Sequence, residues 1–171
     1  GLVGSEMCIR DRIMNKFNTA DLCDEHKLSI AKPIFKLFGN NTHCHGQIKT
    51  VVAIDDNSYV KKLLQTDGNG CVMIIDGKGS HNCALVGDNL AALAFNNNWS
   101  GMIVNGCIRD SMEINRISIS IKAIDLVPNK SEKKDIGKYG LDVSFAGITF
   151  RENEYIYSDP DGIVISKKKL L

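Results

Sequence analysis

The sequence lacks the marks of several protein classes. It has no C-x-x-C pair, so neither a zinc ribbon nor a thioredoxin-type redox motif is present. No apolar run approaches the ~18 residues that a membrane-spanning helix needs. Charge of one sign is not in excess: 21 Lys plus Arg stand against 20 Asp plus Glu, a formal net charge of +1. That balance excludes a strongly electrostatic nucleic-acid binder. The longest basic run, Lys167-Lys168-Lys169, is terminal and reads as a solvated tail. No internal repeat and no linker divides the chain. Asp76-Gly-Lys-Gly79 is no Walker loop, because the G-K-[ST] ending at the required spacing is missing.

The six cysteines are Cys8, Cys23, Cys44, Cys71, Cys83 and Cys107, and several lie in apolar runs such as Cys71-Val-Met-Ile-Ile75. They read as small buried hydrophobes in a reducing cytoplasm, not as a disulfide framework. At 171 residues the chain suggests one domain. A chain of this size buries about 70% of its unfolded surface and needs no disulfide or metal to build a core. Residues 1–13 are charged where a signal peptide is apolar and resemble a translated sequencing-adaptor scar. A native start at Met14 is expected, with residues 14–171 forming the domain and Cys8 and Arg10-Asp11 left out of the functional reading.

The pattern predicts a helix from Thr19 to Asp24 capped by Thr19 or Asp21, and a turn at Pro33. It predicts a strand over 47–54 and a helix from Asn57 or Ser58 to Gln65 with Val60, Leu63 and Leu64 on its apolar face. Cys71–Ile75 reads as a strand covered on both faces, followed by a Gly-rich loop and a short strand at Cys83–Val86. Asp88 starts a helix that Asn96-Asn-Asn98 ends, and Gly101–Asn105 is another buried strand. Gly106–Glu113 reads as a loop or short helical turn, and 117–121 and 123–127 as two strands. A charged loop spans 129–140, and short β segments at 141–145, 148–150, 155–157 and 162–166 close the chain. Alternating strands and helices followed by a β-rich end indicate a mixed α/β domain with an added β layer.

The densest chemistry is Asp88, then twenty residues, then Arg109-Asp110, then two residues and Glu113. Asp88 precedes a helix and Arg109 follows a strand, so the unit between them returns to the same sheet edge, where ligands of α/β proteins gather. Gly87-Asp88-Asn89-Leu90 offers helix-start amides to a carboxylate. Arg109 carries a planar fork for a carboxylate or enolate. Asp110 is a hard oxygen ligand suited to Mg²⁺ or Mn²⁺. Asp88 and Glu113 can hold metal-bound water or carry protons. Together such groups can break a carbon–carbon bond next to a keto acid, although an Arg-Asp pair in a loop is also a common surface salt bridge, and Asp88 a common helix cap.

With those residues in view, the chain resembles the family of the regulator of ribonuclease activity A and the class II 4-hydroxy-4-methyl-2-oxoglutarate/4-carboxy-4-hydroxy-2-oxoadipate aldolases. The resemblance runs from about Phe17 to Ile165. It rests on Asn18–Asp24, Gly46–Val51, Asp76–Ser80, Ala84–Asp88, Gly101–Asp110, Asp142–Phe150 and Asp161–Ile163. It implies an α/β/β fold like the swivelling phosphohistidine domain, assembled as a ring-shaped homotrimer. The full set of Asp88, Arg109, Asp110 and Glu113 is similar to the aldolase branch. It implies a metal-stabilised pyruvate enolate, with Asp110 as direct ligand of Mg²⁺ or Mn²⁺, Arg109 as substrate anchor, Asp88 as holder of metal-bound water and Gly87–Leu90 as carboxylate cradle. Oxaloacetate decarboxylation is implied too, since it passes through the same enolate. A further acid from a neighbouring subunit is expected, with Glu25 and Asp161 as candidates. The alternative reading, an inhibitor of ribonuclease E that is not an enzyme, follows from the same resemblance and the chain's shortness. Among lesser candidates, His43 and His45 alternate on a strand and present a two-ligand face for Zn²⁺. Ser80-His81 invites a phosphohistidine reading but lacks the rest of that chemistry. Trp99, Tyr155 and Tyr157 read as packing residues.

Overall fold

A computed structural model describes residues 17–171; residues 1–13, with Cys8 and Arg10-Asp11, and the expected start at Met14 lie outside the described residues. The elements run α1 (Thr19–Glu25), β1 (Ser29–Ile30), β2 (Lys36–Phe38), β3 (Cys44–Val52), α2 (Ser58–Leu64), β4 (Val72–Val86), α3 (Asp88–Asn96) and β5 (Gly101–Ile108). They continue with α4 (Ser111–Ile114), β6 (Ser120–Leu126), β7 (Lys138–Tyr139), β8 (Val143–Phe145), β9 (Ile148–Phe150), β10 (Tyr155–Asp159) and β11 (Gly162–Ser166).

Nine strands form one sheet, ordered β1-β11-β10-β3-β4-β5-β6-β2 with β7 also on β3; β8 and β9 make a separate hairpin. β3, β4, β5 and β6 are mutually parallel, and the outer strands are antiparallel. The central strands are apolar on both faces, and their successive side chains divide between two cores. Met73, Ile75, Met102 and Val104 pack under Val60 and Leu64 of α2 and Leu90, Ala91 and Ala94 of α3. Val72, Ile74 and Ile103 face the other way, against Val143, Phe145 and Phe150 of the β8–β9 hairpin and Ile163 and Ile165 of β11. The result is a single mixed α/β domain in α/β/β layers, as the sequence indicates. No helix among the described residues is long and apolar enough to cross a membrane.

Several local expectations are corrected. Asn18, not Thr19 or Asp21, caps α1, its side chain accepting from the Asp21 amide at 2.7 Å. Thr19 is instead buried, with its amide and hydroxyl donating to Asp159 at 2.6 and 2.7 Å. The strand and glycine-rich loop expected over 71–86 are one fifteen-residue strand, β4. It keeps pairing with β5 through register shifts between Asp76 and Ser80, Ser80 and Ala84, and Ala84 and Val86. Lys78 and Gly79 at φ 57° and 71° supply the left-handed backbone that such bulges use. Residues 117–127 hold one strand, β6, not two.

Candidate active site

The parallel pairing of β4 and β5 places Val86 opposite Ile108, so the residues that follow each strand emerge side by side. One more bond carries the pairing past the strand end: the Arg109 amide donates to the Val86 carbonyl at 3.0 Å. Gly87 then caps α3, and Asp88 is its first residue. On the other side Asp110 takes a left-handed conformation, φ 62° and ψ 43°, and starts α4. Asp and Asn tolerate that region best among residues with a Cβ, at a cost of roughly 1 kcal/mol. The twist turns the Asp110 carboxylate back on α3, where Oδ2 accepts from the Asp88 amide at 3.0 Å. The sequence spacing thus brings Asp88, Arg109 and Asp110 into one place.

That place is a cleft of about 190 Å³ lined by residues from four segments, including Asn57, Gly87–Leu90, Arg109, Asp110 and Ser131. Arg109 and Asp110 are each about a third open to solvent, with Nε and Oδ2 4.0 Å apart. The guanidinium is steadied by Nη1 donating to the Pro128 carbonyl at 3.4 Å. The helix-start amides are not free as the sequence suggested. Asp110 takes the Asp88 amide, and Asp88 Oδ1 takes the Asn89 amide at 2.8 Å. Carboxylates satisfy these donors because a helix start leaves them unpaired and electropositive. The remaining first-turn amide, at Leu90, has no intrahelical acceptor.

Gly87 leaves the room that the Asp110 carboxylate occupies. A Cβ there would lie 2.7 Å from Asp110 Oδ2 and 3.6 Å from the Arg109 side chain. Its backbone, φ −120° and ψ −168°, is open to any residue, so the glycine is required by proximity and not by conformation.

Sequence reasoning missed a second wall. Lys61, Lys130 and Lys133 also line the cleft. Lys130 and Lys133 sit in what read as a featureless charged loop, but buried Asp56 ties that loop down. Its carboxylate accepts from the amides of Lys134 and Ile136 at 2.8 and 3.1 Å and from the Ser58 amide and hydroxyl at 2.8 and 2.5 Å. Burial pushes the Asp56 carboxyl up, but these hydrogen bonds outweigh it and hold the pKa down at about 2. Ser131, also buried, accepts from the Asn57 amide at 3.3 Å. A carboxylate followed by Asn57 and Ser58 was the only local signal; its partners lie more than seventy residues away.

Other predicted residues lie elsewhere. Glu113 is exposed on α4 and is not among the cleft-lining residues, because the helix turns Ile114 inward instead. Glu25 and Asp161 are exposed, at the end of α1 and in the β10–β11 turn. His43 and His45 both touch Phe17 edge-on, and His45 stacks on Tyr157. Burial, then the Lys169 charge, lowers the His45 pKa. No cluster of three or more metal-ligating His, Cys, Asp or Glu occurs among the described residues. Ser80 donates to Asp55 at 2.5 Å, a bond that braces the bulge of β4. Asp76 is fully buried, accepting from Asn105 at 3.0 Å and pairing with Lys78 at 3.0 Å, so it too is structural. Trp99 is buried against Gly68, and Tyr157 packs in the core around α1.

The donor set of the cleft fits a hard divalent cation. Asp88 and Asp110 are its only carboxylates among the described residues, and neither thiol nor imidazole lines it. Mg²⁺ commonly binds through one or two carboxylates and keeps several waters, so a three-residue cage is not required. Asp110 uses Oδ2 on the Asp88 amide and leaves Oδ1 without a partner among the described residues.

Comparison with known proteins agrees with this architecture. A family model described as RraA-like, Aldolase/RraA, matches residues 19–165. A relative from Dechloromonas aromatica (strain RCB) is 46% identical over 160 residues, covering 90% of this chain and 98% of its own length. One from Bacillus cereus is 45% identical over 156 residues, covering 90% and 98%. Both are provisionally named 4-hydroxy-4-methyl-2-oxoglutarate aldolase. Among solved structures, one from Geobacillus kaustophilus HTA426, titled an S-adenosylmethionine:2-dimethylmenaquinone methyltransferase, superimposes with TM-score 0.88 at 38% identity, covering 90% of this chain and 97% of that one. The RNA-processing inhibitor RraA of Thermus thermophilus superimposes with TM-score 0.87 at 30% identity, covering 91% and 95%.

Proposed function

The chain belongs to the RraA-like, Aldolase/RraA family, and from that premise we propose that it is a divalent-metal-dependent class II aldolase. It cleaves 4-hydroxy-4-methyl-2-oxoglutarate-type substrates to pyruvate and also decarboxylates oxaloacetate. The observation that carries this reading is the 3.0 Å bond from the Asp88 amide to Asp110, which gathers two acids and Arg109 in one cleft. The names of relatives more than 40% identical support it.

In this reading the substrate's 2-oxo carboxylate docks on the first turn of α3. It displaces Asp88 from the Asn89 amide and takes up the amide of Leu90, while Arg109 holds its outer side. Freed Asp88 accepts the proton of the C4 hydroxyl. The C3–C4 bond breaks, its electron pair forms the pyruvate enolate, and the C4 fragment leaves as a second keto acid. The proton then returns to C3 to give pyruvate. A divalent cation held by Asp110 would supply Lewis-acid stabilisation of the charge developing on the 2-oxo oxygen. Glu113, outside the cleft in the single chain, is assigned no step. We further propose a homotrimer, which would bring a further acid to the site; light scattering at three times the chain mass supports it, and a monomer at assay concentration contradicts it.

The test is pyruvate release from 4-hydroxy-4-methyl-2-oxoglutarate and from oxaloacetate, followed with lactate dehydrogenase. Release should require Mg²⁺ or Mn²⁺, stop with chelator and fall by roughly a thousandfold in Asp110→Ala. Full activity in that variant sinks the reading. The Thermus neighbour favours a second reading, a binding module that inhibits ribonuclease E, which would use the outer surface. Capture of that enzyme's tail by the purified chain tests it, and no binding at micromolar concentration counts against it.

A further inference from the structure

On the helix side of the sheet, two packed regions leave a gap between them. Val51, near the end of β3, lies in the core under α2. Phe17 and Leu22 cover Tyr157 of β10 and Val164 of β11. Over the first half of β3 lies a cleft of about 440 Å³. Strand pairing sets its floor. Tyr157 stands opposite His45 and Tyr155 opposite Gln47, and residues two apart share a face, so these four side chains rise on one side. The far wall is the turn before β4, which approaches so closely that a Cβ on Gly46 would collide with the Gly70 carbonyl oxygen. The same strands carry the catalytic residues at their other ends: the eight residues of β5 put about 25 Å between this cleft and Arg109.

No acid lines this cleft, and its one lysine is Lys169. The terminal lysine run is not the free tail that the sequence suggested. The Lys168 amide donates to Ser166 Oγ at 3.1 Å and the Leu170 amide to the Tyr157 hydroxyl at 2.8 Å, so the backbone on both sides of Lys169 is tied to β11 and β10. Among the described residues Lys169 forms no ion pair. His45 stacks on Tyr157, with ring centroids 5.8 Å apart and planes 7° from parallel, and meets Phe17 edge-on at 5.5 Å. Its ring nitrogens have no hydrogen-bond partner among the described residues. Burial, then the Lys169 charge, lowers its pKa, and a neutral imidazole keeps one N–H to donate. Cys44 and Cys71 also line the cleft, but burial raises both thiols, Cys44 to about 11. Protonated thiols are not metal ligands, so the two imidazoles find no anionic partner with which to hold a metal. An unpaired cation, an imidazole without a partner and two tyrosine rings are left together.

We propose that this cleft is a second small-molecule site, separate from the catalytic one, that takes an aromatic carboxylate, with its ring against Tyr155 and Tyr157 and its carboxylate shared by Lys169 and the His45 N–H. Cavities of this size, lined by rings and a few convergent polar groups, suit small planar ligands. An aliphatic acid would satisfy Lys169 but offer the tyrosines no π-face. A neutral aromatic molecule would do the reverse. Occupancy here does not depend on the reaction at Arg109 and Asp110.

The experiment is calorimetric titration of the full chain with 4-hydroxybenzoate, with the His45 ring protons followed by NMR. Saturable binding with a Kd below about 1 mM is expected, together with a ring-current shift at His45. Cyclohexanecarboxylate keeps the charge and loses the aromatic ring; 4-hydroxybenzyl alcohol keeps the ring and loses the charge. Each should bind at least about fivefold more weakly. Lys169→Ala, which alters an exposed side chain, should weaken 4-hydroxybenzoate by about fivefold or more, and Lys169→Arg should restore it. His45→Ala should weaken it as well. Arg109→Ala, which removes the guanidinium from the catalytic cleft, should bind it as wild type does. No saturation up to about 10 mM, or cyclohexanecarboxylate bound as tightly as the aromatic acid, overturns the proposal. Binding that survives Lys169→Ala and disappears in Arg109→Ala also overturns it, because the acid then sits in the catalytic cleft.

Discussion

Gly87→Ala separates the site from the fold more cleanly than any removal of a charged group. The new Cβ would lie 2.7 Å from Asp110 Oδ2, where ordinary contact begins near 3.4 Å, so the oxygen must retreat by about 0.7 Å. The Asp88–Asp110 bond then stretches from 3.0 Å to about 3.7 Å and ceases to be a hydrogen bond. For stability the consequences partly offset one another. One partly exposed hydrogen bond is worth about 1 kcal/mol, and Ala is a poorer N-cap than Gly. Against this, an Ala at φ −120° is unstrained and lowers the entropy of the unfolded chain by about 0.4–1 kcal/mol. The net change is about 1 kcal/mol, or some 2–4 °C in Tm for a chain of this length. Catalysis has no such compensation, because a displacement approaching 1 Å in a positioned group costs about a hundredfold. Pyruvate release should therefore fall roughly a hundredfold in kcat/KM while the melting curve hardly moves. Wild-type activity in a folded Gly87→Ala would refute the argument that Asp110 must sit where it does, and a drop in Tm of about 10 °C or more would refute the separation of site from fold.

Two further outcomes follow from the structure. Asp56 has a folded pKa of about 2 against an ordinary value of 3.8. The stability it contributes, about 2 kcal/mol, is thus complete above pH 4 and lost as pH falls from about 4 toward 2. Urea midpoints from pH 6 to 2.5 should fall less steeply in Asp56→Asn than in wild type, and parallel curves would contradict this. At the far end of the sheet, a Cβ on Gly101 would meet the Cys44 sulfur at 2.6 Å and the Ser120 carbonyl oxygen at 2.7 Å. Backbone cannot give way as a carboxylate can, so Gly101→Ala should lose about 1–3 kcal/mol in denaturant unfolding while kcat/KM below the melting range stays at the wild-type value; an unchanged stability would count against the packing described.

The sequence carried the convergence of Asp88, Arg109 and Asp110 because the segment between them is one helix and one parallel strand, whose register fixes where both ends emerge. The two-sided apolar runs of β4 and β5 were equally plain, since strands covered on both faces leave no polar alternation. Less was legible where structure depends on distant partners. β4 runs through Gly77 and Gly79 because β5 continues to pair with it across the bulges, and glycine content alone looks like a loop. β1, β2 and β7 hold two or three residues, too few for any periodicity. The lysine wall depended on Asp56 receiving amides from a loop that has no pattern of its own. The occupation of the amides at Asp88 and Asn89 depends on side-chain conformations, of which sequence spacing carries no trace.

The central claim is that this cleft binds a 2-oxo acid so that its C3 protons become exchangeable. The most direct measurement is loss of the pyruvate methyl proton signal in D₂O with Mg²⁺, followed by NMR. The account predicts exchange by the wild-type chain that stops with chelator and is absent in Asp110→Asn. No exchange by folded wild type at saturating Mg²⁺ and Mn²⁺, or equal exchange in the Asp110→Asn variant, would contradict it.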